Sequence, residues 1–198
     1  MQDGTDATEP DAPAYAYKPS LMGAPWEFRL APDAIEWQIG RYQGRTAYAR
    51  IARVRLSFRP VTMQARRFVT EIWPVDGPRL SIASSSWKSI LEQEGRDQAY
   101  GAFIRELHRR IAASGARVTF EAGSPAILYW LGLAVFVIVS LGLAVLTVRA
   151  LQSGAWSAAA LIGGMLCLFV WQSGNYFRRN RPGSYRPEAL PEHLVPRG

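Results

Sequence analysis

The residues whose types could support catalysis are few, and their spacing does not favour a reaction. Ser85 and Lys88 stand in a Ser-x-x-Lys pattern, in which a lysine can deprotonate a serine nucleophile. The Ser-Asp-Asn and Lys-Thr-Gly segments that accompany this pattern in such enzymes are absent from the sequence. We therefore interpret the pattern as a chance match within a serine-rich segment.

The histidines, the cysteine and the acidic residues do not form a recognisable metal or acid–base site either. The chain has two histidines, His108 and His193, and neither stands at a metal-ligand spacing from a second ligand. Its single cysteine, Cys167, cannot form an internal disulfide bond. The sequence therefore predicts no enzyme, no catalytic residue, no metal and no cofactor.

Two long uncharged segments define the organisation of the chain. Residues 125–148 and 155–177 contain no charged side chain. A helix of the first length would reach roughly 36 Å, enough to cross a hydrocarbon core of about 30 Å. A buried helical hairpin in a soluble core is the alternative, and the length of two adjacent spans argues against it. We predict two transmembrane helices that form an antiparallel hairpin.

Side chains that favour the membrane–water interface mark the ends of these spans. The predicted interface anchors are Tyr129, Trp130, Trp156, Trp171, Tyr176, Arg178 and Arg179. The turn between the spans carries only Arg149, whereas arginines are frequent before the first span and after the second. The positive-inside rule then predicts that both termini are cytoplasmic.

The segments outside the hairpin differ in composition. Residues 1–17 contain four acids and no base, and we expect a disordered acidic tail. Residues 178–193 are basic and rich in proline, which predicts an extended cytosolic tail. Residues 194–198 match a thrombin cleavage site, so we expect a tag remnant outside the fold.

Residues 18–121 form the predicted cytosolic domain. Residues 26–30 and 34–39 alternate in polarity around a turn and predict a β-hairpin. Apolar residues from 100 to 111 recur at three- and four-residue steps and predict an amphipathic helix after the strands. The predicted fold class is α+β, a small antiparallel β barrel or sandwich closed by this C-terminal helix and followed by the transmembrane hairpin.

A basic face is the strongest functional signal in the predicted domain. The chain carries a net charge of +7, which suggests an acidic partner or an anionic membrane surface. Alternation along one strand places arginines together on the side away from the core. The predicted face comprises Arg53, Arg55, Arg59, Arg66 and Arg67, and a solvated strand face without function is its alternative. Nucleic acid is not expected as a partner, because no stacking aromatic residues interleave with these arginines in the sequence.

Four segments of the domain resemble bacterial PH-like domains of membrane proteins: WEFRLAPDAIEWQIG, YARIARVRLSF, RLSI and AYGAFIRELHRRI. The resemblance covers roughly residues 20–115 and implies a PH fold that binds and does no chemistry. Tyr100 and Phe103 hold the positions on the closing helix where the family usually carries a tryptophan.

These observations predict a multi-pass protein of the bacterial inner membrane. Only two of the 23 basic residues are lysines, and this usage is typical of a GC-rich bacterial genome. We expect a non-catalytic accessory, scaffold or regulatory subunit of a larger membrane complex, whose domain binds a protein partner or anionic headgroups. The alternative is a homo-oligomeric channel or transporter component in which the hairpin forms the pore.

Overall fold

The computed structural model describes residues 12–20, 23–59, 67–87 and 93–196, with backbone alone at residues 87 and 93–95. The strands of this part of the chain form three sheets. The first sheet is antiparallel throughout, in chain order. Its strands are β1 (Ala14–Tyr17), β2 (Trp26–Leu30), β3 (Ala34–Ile39) and β4 (Tyr42–Ala47). The predicted hairpin of β2 and β3 is confirmed, with Phe28 opposite Trp37.

The second sheet has the order β11-β10-β5-β6-β7. Its strands are β5 (Ile51–Phe58), β6 (Phe68–Pro74), β7 (Leu80–Ala83), β10 (Thr119–Ala122) and β11 (Gly183–Ser184). All its pairs are antiparallel except that of β10 with β5. The strands β8 (Ser85–Trp87) and β9 (Gln93–Gly95) pair separately.

One amphipathic helix covers the core, as predicted. Helix α1 (Asp97–Ala113) buries Tyr100, Phe103 and Ile104 together with the apolar residues of the next turns. The hydroxyl groups of Tyr100 and of Thr70 on β6 are 2.6 Å apart, which ties the helix to the second sheet. Gly115 adopts a φ of +67° just after the helix, a conformation that glycine accepts without strain.

The α+β class is confirmed, and so is the antiparallel arrangement except for the parallel pair of β10 and β5, whereas a closed barrel is wrong. A 3-10 turn at Tyr48–Arg50 separates β4 from β5, so consecutive strands belong to different sheets. Within the described residues no hydrogen-bonded ladder joins the two larger sheets. The core lies between them and α1, and both sheets remain open at their edges.

The chain continues into two long apolar helices, α2 (Ala126–Gln152) and α3 (Trp156–Arg179). Each is long enough and apolar enough to cross a membrane, with mean hydropathies of 2.7 and 1.4 over their most apolar windows. Helix α2 buries none of its residues and α3 buries only Ala159. They are therefore unlike the helices of a soluble core, whose apolar face is covered.

The prediction of a disordered tail is wrong for residues 14–17, which form β1 at the edge of the first sheet. Tyr15 and Tyr17 are buried, and their hydroxyl groups donate to the main-chain oxygens of Ala83 (2.7 Å) and Ser81 (2.6 Å). These tyrosines alternate with alanines, a strand pattern that the acidic composition of the tail obscured. Residues 1–11 lie outside the described part of the chain.

The predictions for the C-terminal segment are also wrong. Residues 180–196 are not an extended tail, because they return to the domain after α3 and form β11 next to β10. Leu194 and Val195, which we expected to belong to a tag remnant, are buried in the hydrophobic core. Pro196 accepts a hydrogen bond of 3.1 Å from Arg105 on α1. The helical hairpin is therefore an insertion within one folded domain.

Candidate binding surface and hairpin junction

The register of the second sheet gathers basic and aromatic side chains on its outer face. Arg53 lies opposite Trp73 of β6, and Arg55 lies opposite both Glu71 of β6 and Glu121 of β10. Successive side chains of a strand alternate between its faces, so these residues share the face away from the core.

Three guanidinium groups surround the indole ring of Trp73. Their central carbon atoms lie 4.2 Å (Arg53), 5.1 Å (Arg55) and 4.9 Å (Arg79) from the ring centroid. Each contact has the geometry of a cation–π interaction, which is strongest with tryptophan. We call this group, comprising Arg53, Arg55, Arg79 and Trp73, the Arg–Trp face.

Two glutamates neutralise part of this charge. Arg55 donates to Glu121 from Nε (2.8 Å) and from Nη2, and its side chain is only 14% exposed. Arg53 reaches Glu121 only at 3.7 Å and is 39% exposed. Glu71, which is 1% exposed, accepts hydrogen bonds from Arg79 and from Arg59 (2.7 Å) on the same carboxylate oxygen. Glu71 and Glu121 together carry two negative charges, whereas the arginines around them carry four positive charges. Two positive charges therefore remain without a carboxylate partner. These arginines are Arg53, Arg55, Arg59 and Arg79.

The structure brings together only some of the predicted basic residues. Arg53 and Arg55 are neighbours on the Arg–Trp face, and Arg59 is linked to it through Glu71. Arg67 immediately precedes β6, and its main-chain oxygen accepts a hydrogen bond of 2.8 Å from the N–H of Arg59, which continues the pairing of β5 with β6. Arg66 lies outside the described residues.

Sequence reasoning missed the aromatic and acidic members of this surface. The expectation that aromatic residues are absent from the arginine face is wrong, because Trp73 lies at its centre. Alternation along β6 places Glu71 and Trp73 on one face, but their partners follow only from the pairing register. Arg79 immediately precedes β7 and gave no periodic signal.

The predicted interface anchors occupy the two apolar helices. Trp130, Trp156 and Trp171 are highly exposed, at 64%, 71% and 75%. Near the domain, the rings of Tyr129 and Phe177 meet at 5.6 Å between centroids, so the two helices contact each other there. The hydroxyl groups of Tyr176 and Ser124 lie 3.3 Å apart. Arg178 is exposed, and the guanidinium group of Arg179 lies 4.8 Å from the ring centroid of Phe58 on β5.

The junction between the hairpin and the domain is closely packed. The side chain of Asn180 is fully buried; its Oδ1 accepts from the main-chain N–H of Phe58 (2.9 Å), and its Nδ2 donates to the main-chain oxygen of the same residue (2.7 Å). The main-chain oxygen of Asn180 accepts from the N–H of Ser124 (3.0 Å). Gly123 has a φ of +79°, and a Cβ atom there would lie 2.5 Å from this oxygen. Both ends of the hairpin are thus fixed to the same end of β5.

His108 connects α1 to the returning segment. It is fully buried, with Nδ1 lying 2.7 Å from the main-chain oxygen of Ile104 and Nε2 lying 2.8 Å from the hydroxyl of Tyr185. A carbonyl oxygen can only accept, so Nδ1 carries the proton and Nε2 accepts from Tyr185. Burial lowers the pKa of His108 to about 4. The ring is therefore neutral, with both nitrogen atoms engaged in structural contacts.

The other groups considered for chemistry are placed as follows. Ser85 is buried, while Lys88 lies outside the described residues, so the structure does not show whether they meet. Among the described residues, no group of three or more His, Cys, Asp or Glu side chains could hold a metal ion. Cys167 is exposed on α3. No protein-family model, curated protein or solved structure matches this chain.

Proposed function

We propose that this chain is an integral membrane protein in which α2 and α3 cross the bilayer and the β-rich domain is held at one membrane surface. The observation that carries the proposal is the inserted hairpin: residues before α2 and after α3 belong to one hydrophobic core. Two segments that share a core must lie on the same side of the membrane, and two antiparallel spans meet this requirement.

The distribution of arginines supports a cytoplasmic location for the domain. Arg178 in the last turn of α3 and Arg181 just after it are exposed, whereas Arg149 is the only charged residue near the turn between the helices. Basic residues near transmembrane segments favour the cytoplasmic side. We therefore propose a protein of the bacterial inner membrane with both termini in the cytoplasm.

We further propose that the domain works by binding, as an accessory, scaffold or regulatory subunit with a PH-like fold. The exposed arginines at the junction are suited to anionic headgroups, since a basic residue near such a surface contributes about 1 kcal/mol. The Arg–Trp face is the second surface with unneutralised positive charge.

Cysteine labelling of the full chain tests the proposed topology. Cys167→Ser removes the single native cysteine, and Ser153→Cys then places one in the turn between α2 and α3. In intact cells, a membrane-impermeant maleimide should label this turn from outside. The matched variant Ala112→Cys on α1, which is exposed, should react only after the inner membrane is opened. Labelling in the reverse order, or labelling of both sites in intact cells, contradicts the proposal.

A further inference from the structure

We propose that the Arg–Trp face binds an acidic segment of a partner protein, with Arg53 and Arg79 as the residues that contact its carboxylates. This inference rests on the proposed function, because it names the chemistry of the partner that the membrane-held domain recognises. It differs from headgroup binding at the junction, which involves other arginines.

One surplus positive charge of the surface resides on Arg53, and the other is shared by Arg79 and Arg59. Glu121 is engaged by the short contacts of Arg55, which leaves Arg53 with a pairing of only 3.7 Å. Arg79 shares one oxygen of Glu71 with Arg59, so one negative charge faces two guanidinium groups. Arg53 and Arg79 are 39% and 49% exposed, so a carboxylate from outside can reach their unused N–H groups.

Trp73 holds these side chains in place before a partner arrives. The central guanidinium carbon atoms of Arg53 and Arg79 lie over its ring, 4.2 Å and 4.9 Å from the centroid, and these cation–π contacts restrict both side chains. A contact with the face of an aromatic ring uses no N–H donor of arginine, so the N–H groups that do not bond a glutamate stay available for a carboxylate. A side chain ordered in advance loses less conformational entropy when it binds.

The position of the face favours a protein partner over the membrane itself. Arg53 is aligned with Thr119, whereas the hairpin leaves the sheet after Ala122, three residues further along β10. At a rise of about 3.3 Å per residue, Arg53 lies about 10 Å from that level. This distance is comparable to the Debye length of about 8 Å at physiological ionic strength, so a charged leaflet at that level acts less strongly on Arg53 than on the arginines of the junction.

Nucleic acid fits the same surface less well. Single-stranded nucleic acids bind through successive bases that stack on exposed aromatic rings. Trp73 is the aromatic residue of the Arg–Trp face, and guanidinium groups already surround its ring. A carboxylate needs only the N–H groups that point away from the ring.

The test uses the full chain in phosphatidylcholine nanodiscs, which carry no net charge, and a fluorescein-labelled poly-glutamate peptide as the probe. Fluorescence anisotropy gives its Kd. We expect Arg53→Gln to weaken binding about tenfold, because a charge-assisted bidentate contact is lost. Arg53→Lys keeps the charge but not the planar fork, and should recover only part of the affinity.

The matched control is Arg41→Gln, which removes the same charge from the turn between β3 and β4 of the first sheet. It should change the Kd less than about twofold, as expected for a distant exposed charge. Circular dichroism of each variant checks that it is folded.

Three results would overturn the inference: no peptide binding by the unsubstituted chain, equal losses in Arg53→Gln and Arg41→Gln, or Arg53-dependent binding that is tighter for phosphatidylglycerol vesicles or single-stranded DNA. Extraction of the chain from membranes by alkaline carbonate is a separate measurement. It would refute the membrane proposal and leave the result for the peptide intact.

Discussion

Replacing Asn180 with alanine should destabilise the domain through a contact that links its two separated parts. The side chain of Asn180 bridges the main-chain N–H and oxygen of Phe58, which is far away in sequence on β5. Both groups are buried, and alanine offers neither a donor nor an acceptor.

The expected loss follows from these two hydrogen bonds. A buried polar group that loses its partner costs about 1–3 kcal/mol, so two groups give about 2–6 kcal/mol. Domains are typically stable by about 5–15 kcal/mol, so the variant loses a large share of its stability. Asn180→Asp should also destabilise, because a carboxylate cannot donate to the main-chain oxygen of Phe58.

Hydrogen exchange measured by mass spectrometry on the full chain in detergent is the assay of choice. The peptide that contains β5 should lose protection in Asn180→Ala, and the domain should become sensitive to protease at lower temperature. Asn175→Ala is the matched control, since Asn175 is exposed on α3. If both variants exchange alike at β5, the proposed role of Asn180 is refuted.

Two further predictions concern the same returning segment. Leu194 is fully buried in the core, so Leu194→Ala should lower the free energy of unfolding by about 2–5 kcal/mol. Denaturant titration measures this loss. A loss near zero would show that residues 194–196 are not part of the fold. Burial lowers the pKa of His108 to about 4, below its value of about 6.5 in the unfolded chain. Between these two pH values the unfolded state binds one more proton than the folded state. The free energy of unfolding therefore falls as the pH drops from about 6.5 to 4. The free energy of unfolding should depend less on pH in His108→Gln than in the unsubstituted chain. Parallel pH profiles for these two proteins would contradict the lowered pKa of His108.

The elements that could be predicted from sequence are those with a local signal. The β2–β3 hairpin follows from alternation over adjacent residues, and α1 follows from a helical repeat of apolar side chains. The two long apolar helices follow from length and composition, and these properties do not depend on distant contacts. Each of these signals is contained within one element.

The C-terminal segment could not be predicted in this way, because its apolar residues have no period. Prolines and charged residues separate Tyr185 from Leu194 and Val195, and all three pack with distant parts of the chain in the hydrophobic core. In the sequence, Asn180 is merely a polar residue at the end of a helix. Its structural role follows only from its hydrogen bonds with Phe58. Trp73 could not be predicted as a member of the arginine face either, because its contacts with arginines depend on strand register.

The inserted hairpin makes helix association and domain folding parts of one equilibrium. Bringing β11 to β10 requires closure of the chain between them, and the antiparallel helices provide it by placing the end of α3 next to the start of α2. The contact between Tyr129 and Phe177 holds these ends together beside Asn180. A change that separates the helices must therefore weaken the docking of residues 180–196, and a partner that binds only the folded domain must favour helix association.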